Sequence, residues 1–169
     1  MVRDSSYLFV TGPEVVKAVT NEEISQEDLG GAKAHTTKSG VAHLAFDNDI
    51  EAISKLREFF NYIPLNNQAK VPILETADDP TYQDTVLNAI VPADSTKAYD
   101  IKDVINRIID TNSFFEIAGD FAKNIVIGFA RLDGETVSII ANQPLISSGV
   151  LDINSSVKAA RWVRFCIFN

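Results

Sequence analysis

The chain has 169 residues, a formal charge of −8 and a hydrophobic content of 46%, which is enough to build one ordinary domain or parts of two. The acidic balance, without a basic run or a repeated aromatic and arginine pattern, argues against a nucleic-acid partner. The single cysteine, Cys166, excludes an internal disulfide and fits a reducing compartment. The apolar run near the N-terminus is too short for a signal-peptide core or a membrane span.

Three elements are predicted in the N-terminal part of the chain. Residues 6–11, SYLFVT, are rich in β-branched and aromatic types, and we predict a short buried strand that ends at the following glycine and proline. A helix is predicted to start at Pro13, because proline fits the first turn of a helix. Ser25 is followed by Asp28 three residues later, which is close to a capping box and predicts a second helix that ends at a glycine pair.

The next segment combines a strand with the clearest helix of the sequence. Residues 41–46, VAHLAF, predict a strand by their length and composition. A helix follows, because apolar residues recur at spacings of three and four until Pro64 stops the pattern. The residues of this apolar face are Ile50, Ile53, Leu56, Phe60 and Ile63. Residues 67–98 contain several prolines and acidic residues without sustained periodicity, and they predict an ordered but irregular linker.

Two further helices are predicted in the C-terminal part. Asp100 is placed to cap a helix whose apolar side chains fall on one face. These side chains are Ile101, Val104, Ile105, Ile108 and Ile109. Residues 154–156, Asn-Ser-Ser, are predicted to cap a last helix over residues 157–166. Trp162 and the aromatic residues around it are expected to lie in the core rather than to form a platform for a ligand.

Three strands are predicted between these helices. Residues 114–117 form a short strand, and residues 124–132 and 136–141 flank Asp133-Gly134, which is the best hairpin signal in the sequence. The order of strand, glycine turn, strand and helix recurs on both sides of the predicted linker. This recurrence suggests pieces of two related α/β units.

Residues 29–43, LGGAKAHTTKSGVAH, are the strongest candidate for a functional site. They include both histidines of the protein and three glycines, which allow a ligand to come close. As metal ligands, His35 and His43 lack a third ligand at a supporting spacing, so no metal site is predicted. The sequence contains no G-x-S-x-G turn and no phosphate-binding glycine motif. Considered alone, Gly30 and Gly31 are more simply interpreted as a helix C-cap.

Longer phrases of the sequence are far more specific than any of these motifs. They are SYLFVTGPEVVKAVT, EDLGGAKAHTTKSGVAH, FFNYIPLNN, FFEIAGDFAKNIVIGFARLDG, ANQP and LDINSSVKAARWVRFC. In this order and spacing they resemble the β subunits of the propionyl-CoA carboxylase family, which are biotin-dependent acyl-CoA carboxyltransferases. The resemblance covers nearly the whole chain and is weakest in residues 67–91.

The resemblance implies an α/β fold of the ClpP/crotonase superfamily, built from ββα units, with parts of two crotonase-like domains in this chain. Residues 1–66 then correspond to the C-terminal part of an N-terminal carboxyltransferase domain, residues 67–98 to a linker, and residues 99–169 to the beginning of a truncated C-terminal domain. The glycine-rich loops that form the oxyanion holes of the family are expected outside the chain. No catalytic residue is therefore named, and the isolated chain is expected to be inactive.

The reaction that the resemblance implies is carboxyl transfer from carboxybiotin to propionyl-CoA or acetyl-CoA. Biotin is expected to be carried by a partner domain or subunit, and the chain alone is expected to bind no cofactor directly. The implied partners are the acyl-CoA substrate, an α subunit with biotin carboxylase and biotin carrier functions, and further β subunits in a hexamer. Gly-Val-Ala-His at residues 40–43 favours the propionyl/acetyl-CoA branch over the methylcrotonyl-CoA branch. The expected location is the cytoplasm for a bacterial protein and the mitochondrial matrix for a eukaryotic one, with no membrane as a partner.

The resemblance also places a substrate site for acyl-CoA and biotin in two segments. The residues that match the loop beside the acyl-CoA pocket are Gly30, Gly31, His35, Ser39 and Gly40. The opening strands of the C-terminal domain contribute Phe115, Asn142 and Gln143. Two alternatives stay open: a non-catalytic interaction module that joins full-length subunits, and a decarboxylase or transcarboxylase of the same fold.

Overall fold

The computed structural model describes residues 1–66, 68–94 and 96–168. These residues form two compact units. Unit 1 comprises Met1–Arg57 and Ala118–Phe121, and unit 2 comprises Glu58–Ile117 and the chain from Ala122 onwards. The domain boundaries expected from the sequence stay predictions, and two of the residues at these boundaries, Asn67 and Asn169, lie outside the described residues.

Unit 1 is built from short helices that follow one another closely. They are α1 (Pro13–Thr20), α2 (Gln26–Gly30), α3 (Ala32–Ala34), a π-helix (His35–Ser39) and the start of α4 (Asp49–Phe60). The first two predicted helix starts are confirmed. α1 begins at Pro13, and the Ser25 hydroxyl caps α2 by accepting a hydrogen bond from the Asp28 amide at 3.1 Å. This cap satisfies an N–H group that the first turn of a helix leaves without a partner.

The two strands predicted for unit 1 are wrong. Residues 6–11 are irregular, and the Leu8 amide donates a hydrogen bond to the Gly30 carbonyl at the end of α2. Residues 41–46 are also irregular, apart from one isolated bridge at Phe46. Residues with high β propensity form a strand when a neighbouring strand pairs with their backbone. In the described part of unit 1, residues 6–11 have one such backbone bond to Gly30, and residues 44–46 pair with residues 1–3 only around the bridge at Phe46, which is too short for a strand.

α4 follows the predicted periodicity, but its apolar face is exposed. Ile50 is 82% exposed and Leu56 is 53% exposed. The helix ends at Phe60, so Ile63 lies beyond it and the end comes before Pro64. Apolar periodicity identifies the side of a helix that avoids water, whereas the partner that covers this side is not encoded in the helix itself.

Unit 2 contains an antiparallel sheet of order β1-β2-β3. Its elements are α5 (Leu87–Ile90), α6 (Ile101–Ile108), β1 (Phe115–Ile117), β2 (Ile125–Leu132), β3 (Glu135–Asn142), a 3-10 turn (Ser147–Gly149) and α7 (Ile153–Phe168). The predicted strands are confirmed. The predicted cap of α6 is confirmed too, because the Asp100 carboxylate accepts a hydrogen bond from the Lys102 amide at 2.9 Å. On the predicted apolar face of α6, Ile105 is buried and Ile108 is exposed.

The turn between β2 and β3 is the predicted Asp-Gly hairpin. Asp133 and Gly134 have φ values of 50° and 76°, as a type I′ turn requires. The carboxylate of Asp110 accepts hydrogen bonds from both turn amides, at 2.9 and 2.7 Å. Leu132 and Glu135 face each other across the turn. This pairing sets the register of the whole hairpin.

The core of unit 2 surrounds β2, which is buried from its start as far as Arg131. The ring of Phe129 on this strand lies 4.7 Å from the ring of Trp162 on α7 and 5.8 Å from the ring of Tyr62, measured between ring centres. Trp162 is 6% exposed, and its indole N–H donates a hydrogen bond to the Ile139 carbonyl of β3. Trp162 is therefore a core residue, as predicted, with its polar atom satisfied.

α7 begins earlier than predicted. The Asp152 carboxylate accepts a hydrogen bond from the Ser155 amide at 2.8 Å, and the Ser155 hydroxyl accepts one from the Asp152 amide at 2.7 Å. The helix starts at Ile153, so the cap predicted at residues 154–156 is wrong and these residues belong to the first turn. Aspartate, asparagine and serine are similar caps, and sequence alone does not choose between neighbours. Neither α7 nor another helix within the described ranges is long and apolar enough to cross a membrane.

Side chains of the irregular segment before α6 bond to α6 itself and to Thr111, which follows it. The Asp78 carboxylate accepts hydrogen bonds from the Thr111 amide at 2.7 Å and from the Thr111 hydroxyl at 2.9 Å. These bonds stabilise the ionised carboxylate and lower the pKa of Asp78. Asp84 pairs with Arg107 of α6 at 2.7 Å. Acidic residues therefore position this segment, which has little regular structure of its own.

Lys158 is a buried lysine on α7. The residue is 4% exposed, and its ammonium donates hydrogen bonds to the carbonyls of Ile125 at 2.8 Å and Ala122 at 3.4 Å. Burial lowers the pKa of Lys158 from 10.5 to about 8, while the charge of Glu116 raises it and that of Lys102 lowers it. The folded chain therefore binds this proton less tightly than the unfolded chain does.

We expect Lys158 to make the free energy of unfolding rise between pH 8 and pH 10.5, the folded and unfolded pKa values. In this window the unfolded chain binds the proton that the folded chain has released, so raising the pH favours the folded chain. Denaturant unfolding of the unaltered chain and of a Lys158→Met variant would measure this effect. The free energy of unfolding of the unaltered chain minus that of the variant should become more positive as the pH rises. Cys166, whose pKa burial raises, is present in both proteins. A difference that stays constant across the window would contradict the expectation.

Candidate functional site

The segment that contains the N-terminal candidates folds as three short helices in succession, and a glycine separates the first two. Gly31 follows the last residue of α2 and precedes α3, and the π-helix follows α3 directly. Gly40 ends the π-helix with a φ of +64°, a left-handed conformation that favours glycine. Single π-helical turns are rare and occur frequently at functional sites. The segment is therefore the leading candidate for a functional site in unit 1.

Gly30 and Gly31 differ in what an added side chain would meet. A Cβ atom on Gly30 would overlap the backbone carbonyl of Leu8. A Cβ atom on Gly31 would meet the Glu27 carboxylate, which is the flexible end of a side chain, and the φ of Gly31 is an ordinary −76°. The Gly31 amide donates a hydrogen bond to the Glu27 carbonyl. Gly31 is therefore the C-cap of α2, as the sequence alone suggested. Its backbone is extended rather than in the left-handed conformation that is usual for a glycine cap.

His35 and Ser39 contact each other within the π-helix. His35 Nδ1 lies 2.8 Å from Ser39 Oγ, and His35 Nε2 lies 2.5 Å from the carbonyl oxygen of Leu8. Ser39 Oγ also accepts a hydrogen bond from the Val41 amide at 3.3 Å. His35 is half-buried and Ser39 is exposed. The sequence identified both residues as candidates but did not predict that they contact each other. Their spacing of four residues, which brings side chains together on a helix, could have indicated this contact.

Gly40 packs against Phe121, a residue that the sequence did not single out. A Cβ atom on Gly40 would lie 2.6 Å from the Phe121 ring. Nearby, the His43 carbonyl accepts a hydrogen bond from the Ala118 amide at 3.0 Å. The stretch Ala118–Phe121 therefore lies against the end of the π-helix in unit 1. Contacts between such distant positions leave no local signal in the sequence.

The two histidines have different environments. The ring of His35 is engaged with Ser39 and with Leu8, whereas His43 is exposed and follows the π-helix. Over residues 1–66, 68–94 and 96–168, no three His, Cys, Asp or Glu side chains are grouped in a way that could hold a metal ion.

The three candidates of unit 2 take part in its own packing. Phe115 of β1 is 5% exposed and lies in the aromatic core. Gln143 is 5% exposed, and its side chain bonds to the start of α6. Asn142 is exposed, and its amide donates a hydrogen bond to the Gly149 carbonyl at 2.6 Å. Their assignment to acyl-CoA or biotin binding stays a prediction.

Comparison with known proteins identifies the family. The family model for the carboxyl transferase domain matches residues 1–168. The chain belongs to the carboxyl transferase family. It is 60% identical to the mitochondrial propionyl-CoA carboxylase beta chain of Sus scrofa over 166 residues, and 47% identical to methylmalonyl-CoA decarboxylase subunit alpha of Veillonella parvula over 166 residues. Each alignment covers 98% of the chain, but 31% of the first relative and 33% of the second.

A solved structure gives the same result for the fold of this chain. The crystal structure of the transcarboxylase 12S hexamer, with methylmalonyl-CoA and methylmalonic acid bound, matches it with a TM-score of 0.94 and 40% identity. The match covers 98% of the chain and 32% of the transcarboxylase chain. The crotonase-like carboxyltransferase fold predicted from the resemblance is therefore confirmed. The chain spans about a third of the length of the relatives that it matches.

Proposed function

We propose that the chain is part of the carboxyltransferase β subunit of a biotin-dependent acyl-CoA carboxylase, which transfers a carboxyl group from carboxybiotin to propionyl-CoA or acetyl-CoA. The observation that carries the proposal is the family match along residues 1–168, together with 60% identity to a propionyl-CoA carboxylase beta chain. The similar structure that binds methylmalonyl-CoA supports a CoA thioester as the substrate.

Within this function, the segment from Gly30 to Gly40 lies beside the acyl-CoA. Its π-helix ends in the exposed Ser39, whose hydroxyl a ligand can reach. Phe115 acts from the aromatic core of unit 2, and the buried Gln143 holds the start of α6. The exposed Asn142 is the member of this group that a ligand can reach.

The proposed partners follow from the same relationship. Biotin is brought by an α subunit that carries the biotin carboxylase and biotin carrier functions, and β subunits associate as a hexamer, as the transcarboxylase 12S core does. The beta chain of Sus scrofa is named as mitochondrial, which supports the mitochondrial matrix for a eukaryotic protein. For a bacterial protein the proposed location is the cytoplasm.

A decarboxylase acting on the same class of CoA thioester is the second candidate. The observation in its favour is the 47% identity to methylmalonyl-CoA decarboxylase subunit alpha over the same 166 residues. The two candidates share the fold and the acyl-CoA side of the reaction. They differ in whether the carboxyl group is delivered to the thioester or removed from it.

A chimeric subunit tests the proposal directly. The matching third of the Sus scrofa beta chain is replaced by this chain, and propionyl-CoA carboxylation is assayed together with the α subunit. We expect a carboxylation rate within about tenfold of the parent subunit. A tenfold difference corresponds to about 1.4 kcal/mol in the activation free energy. A second chimera that carries the matching segment of the Veillonella parvula decarboxylase subunit is the control for general compatibility of the fold. A chimera that assembles like the parent but carboxylates no better than this control would contradict the proposal.

In the active chimera, Gly31→Val is expected to impair the use of propionyl-CoA more than folding. The ordinary φ of Gly31 accepts valine, and its Cβ would meet the flexible end of Glu27, whose Oε2 is buried without a hydrogen-bond partner. The melting temperature should therefore fall less than in a variant whose Cβ strikes the backbone. The branched side chain narrows the approach of the thioester, and kcat/KM for propionyl-CoA should fall by about tenfold or more. Gly30→Val is the matched control, because its side chain would strike the Leu8 backbone and should reduce stability as well. Equal losses of melting temperature and activity for Gly31→Val would favour a purely structural helix cap.

A further inference from the structure

The hydrogen bonds of His35 determine which ring nitrogen carries its proton. A backbone carbonyl accepts hydrogen bonds and cannot donate them, so Nε2, 2.5 Å from the Leu8 oxygen, is the N–H donor. In the neutral ring Nδ1 then has a free lone pair. The Ser39 hydroxyl, whose oxygen lies 2.8 Å from Nδ1, donates its hydrogen to that lone pair. The ring is thus oriented with a basic nitrogen toward a serine hydroxyl.

This arrangement has the parts of an activated nucleophile. A hydroxyl lies within hydrogen-bond reach of a base, and a third group orients the base. Here the third group is the Leu8 carbonyl, and a ring N–H bond to a backbone carbonyl is a common way to fix the tautomer of a histidine. Ser39 is exposed, so a substrate can reach its oxygen.

A neighbouring hydroxyl provides an internal comparison. Thr37 lies in the same π-helix and is also exposed, but its hydroxyl donates a hydrogen bond to the Lys33 carbonyl at 2.8 Å. A carbonyl oxygen is too weak a base to take the proton of a hydroxyl. Ser39 and Thr37 therefore share exposure and local structure, and they differ in whether a base faces the hydroxyl.

We propose that Ser39 is an acylation site, at which His35 acts as the base and activated esters or thioesters act as acyl donors. Ser39 Oγ forms a bond to the acyl carbon while its proton passes to His35 Nδ1. The bond between the acyl carbon and the thioester sulfur breaks, and the leaving thiolate takes the proton from Nδ1. The products are an O-acyl serine and a free thiol, with no change of oxidation state. The geometry of His35 and Ser39 supports the assignment of Ser39 as the nucleophile. The assignment of CoA thioesters as its natural acyl donors rests on the proposed function.

The test uses the whole chain and para-nitrophenyl acetate, an activated ester that does not involve CoA. Peptide mapping is expected to find an acetyl group on Ser39, which the map separates from any label on the free Cys166. Hydroxylamine should remove it, because esters are cleaved under conditions in which the amides formed on Lys33 or Lys38 persist. Labelling of Thr37 at the same rate as Ser39 would overturn the proposal, since exposure alone would then explain the reaction.

Three variants separate the base from the fold. Ser39→Ala should abolish the hydroxylamine-sensitive label at position 39, whereas any thioester on the free Cys166 should persist. Thr37→Ala should leave the rate of Ser39 labelling unchanged. His35→Gln should slow it by about a hundredfold, the usual size of a general-base contribution. An unchanged rate in a His35→Gln variant with the parent melting temperature would overturn the proposal. If His35→Gln fails to fold, the ratio of ester label on Ser39 to that on Thr37 in the unaltered chain decides the question.

A second arm replaces the ester with propionyl-CoA and maps the propionyl group. An ester on Ser39 supports CoA thioesters as donors. An ester formed from para-nitrophenyl acetate but not from propionyl-CoA supports the nucleophile and overturns the assignment of its donor. None of these readouts involves carboxyl transfer, so a failure here is distinguishable from a failure of the chimeric subunit.

Discussion

Replacing Arg131 by alanine is expected to lower the free energy of unfolding by about 3 to 5 kcal/mol, the order of loss expected when several buried acceptors lose their donor and a cavity opens. The residue is 5% exposed, and its guanidinium donates hydrogen bonds to the carbonyls of Pro72, Gly134 and Asn61. It also lies over the ring of Tyr62, at 4.9 Å from the ring centre. The substitution would leave several enclosed carbonyls without this donor and open a cavity beside the aromatic core.

Denaturant unfolding measures this loss, and Arg3→Ala is the matched control. Arg3 pairs with Asp47 at the protein surface, where an ion pair contributes about 0 to 1 kcal/mol. Arg131→Lys should give an intermediate loss, because a single ammonium cannot reproduce the fork of donors that the guanidinium directs at separate carbonyls. Similar losses for Arg131→Ala and Arg3→Ala would mean that the buried network contributes little to stability.

Replacing Gly134 by alanine is expected to lower the free energy of unfolding by about 2 to 4 kcal/mol, from the strain of a positive φ and from overpacking. The φ of Gly134 is 76°, and its added Cβ would overlap the backbone carbonyl of Leu74. The Gly134 amide and carbonyl bond to Asp110 and Arg131, so a shift of the turn to relieve the overlap would weaken both bonds.

The control for this substitution is Gly12→Ala, also measured by denaturant unfolding. Gly12 precedes α1 with a φ of −73°, and a Cβ there would lie 3.8 Å from the nearest Phe9 ring atom, an ordinary contact. We expect a loss of about 1 kcal/mol, because alanine is a poorer N-cap than glycine, without the strain and overlap expected at Gly134. If Gly134→Ala were as mild as Gly12→Ala, the turn would have to move without losing its hydrogen bonds.

The sheet of unit 2 was predictable because the necessary information is local. The Asp-Gly turn requires two positive φ values, and apolar runs of matching length lie on both sides of it. Residues 6–11 and 41–46 have similar β propensity, but they lack a comparable turn that would bring a partner strand beside them. Their conformation depends on single contacts such as that between Leu8 and Gly30. Strand predictions therefore succeeded where the sequence also specified the pairing.

The candidate site could be predicted as a segment but not as an arrangement. Glycine content and the resemblance to carboxyltransferases pointed to residues 29–43, whereas the π-helix that joins His35 to Ser39 depends on a backbone geometry with no known residue signature. The packing of Phe121 on Gly40 joins distant parts of the sequence and needs the folded structure. Local patterns thus locate the residues, and tertiary contacts determine which atoms meet.

The enclosure of β2 limits how this part of the chain can change during evolution. An antiparallel strand usually has one face in water, where alternate positions accept polar residues. Here both faces are covered from Ile125 to Ala130, so a polar substitution at any of these positions would bury a group without a partner. Gly128 accepts no larger residue, because its Cβ would overlap the Phe115 carbonyl. Mutations in β2 would therefore be tolerated mainly in compensating pairs, whereas single changes are tolerated more readily in the exposed irregular segment before α6.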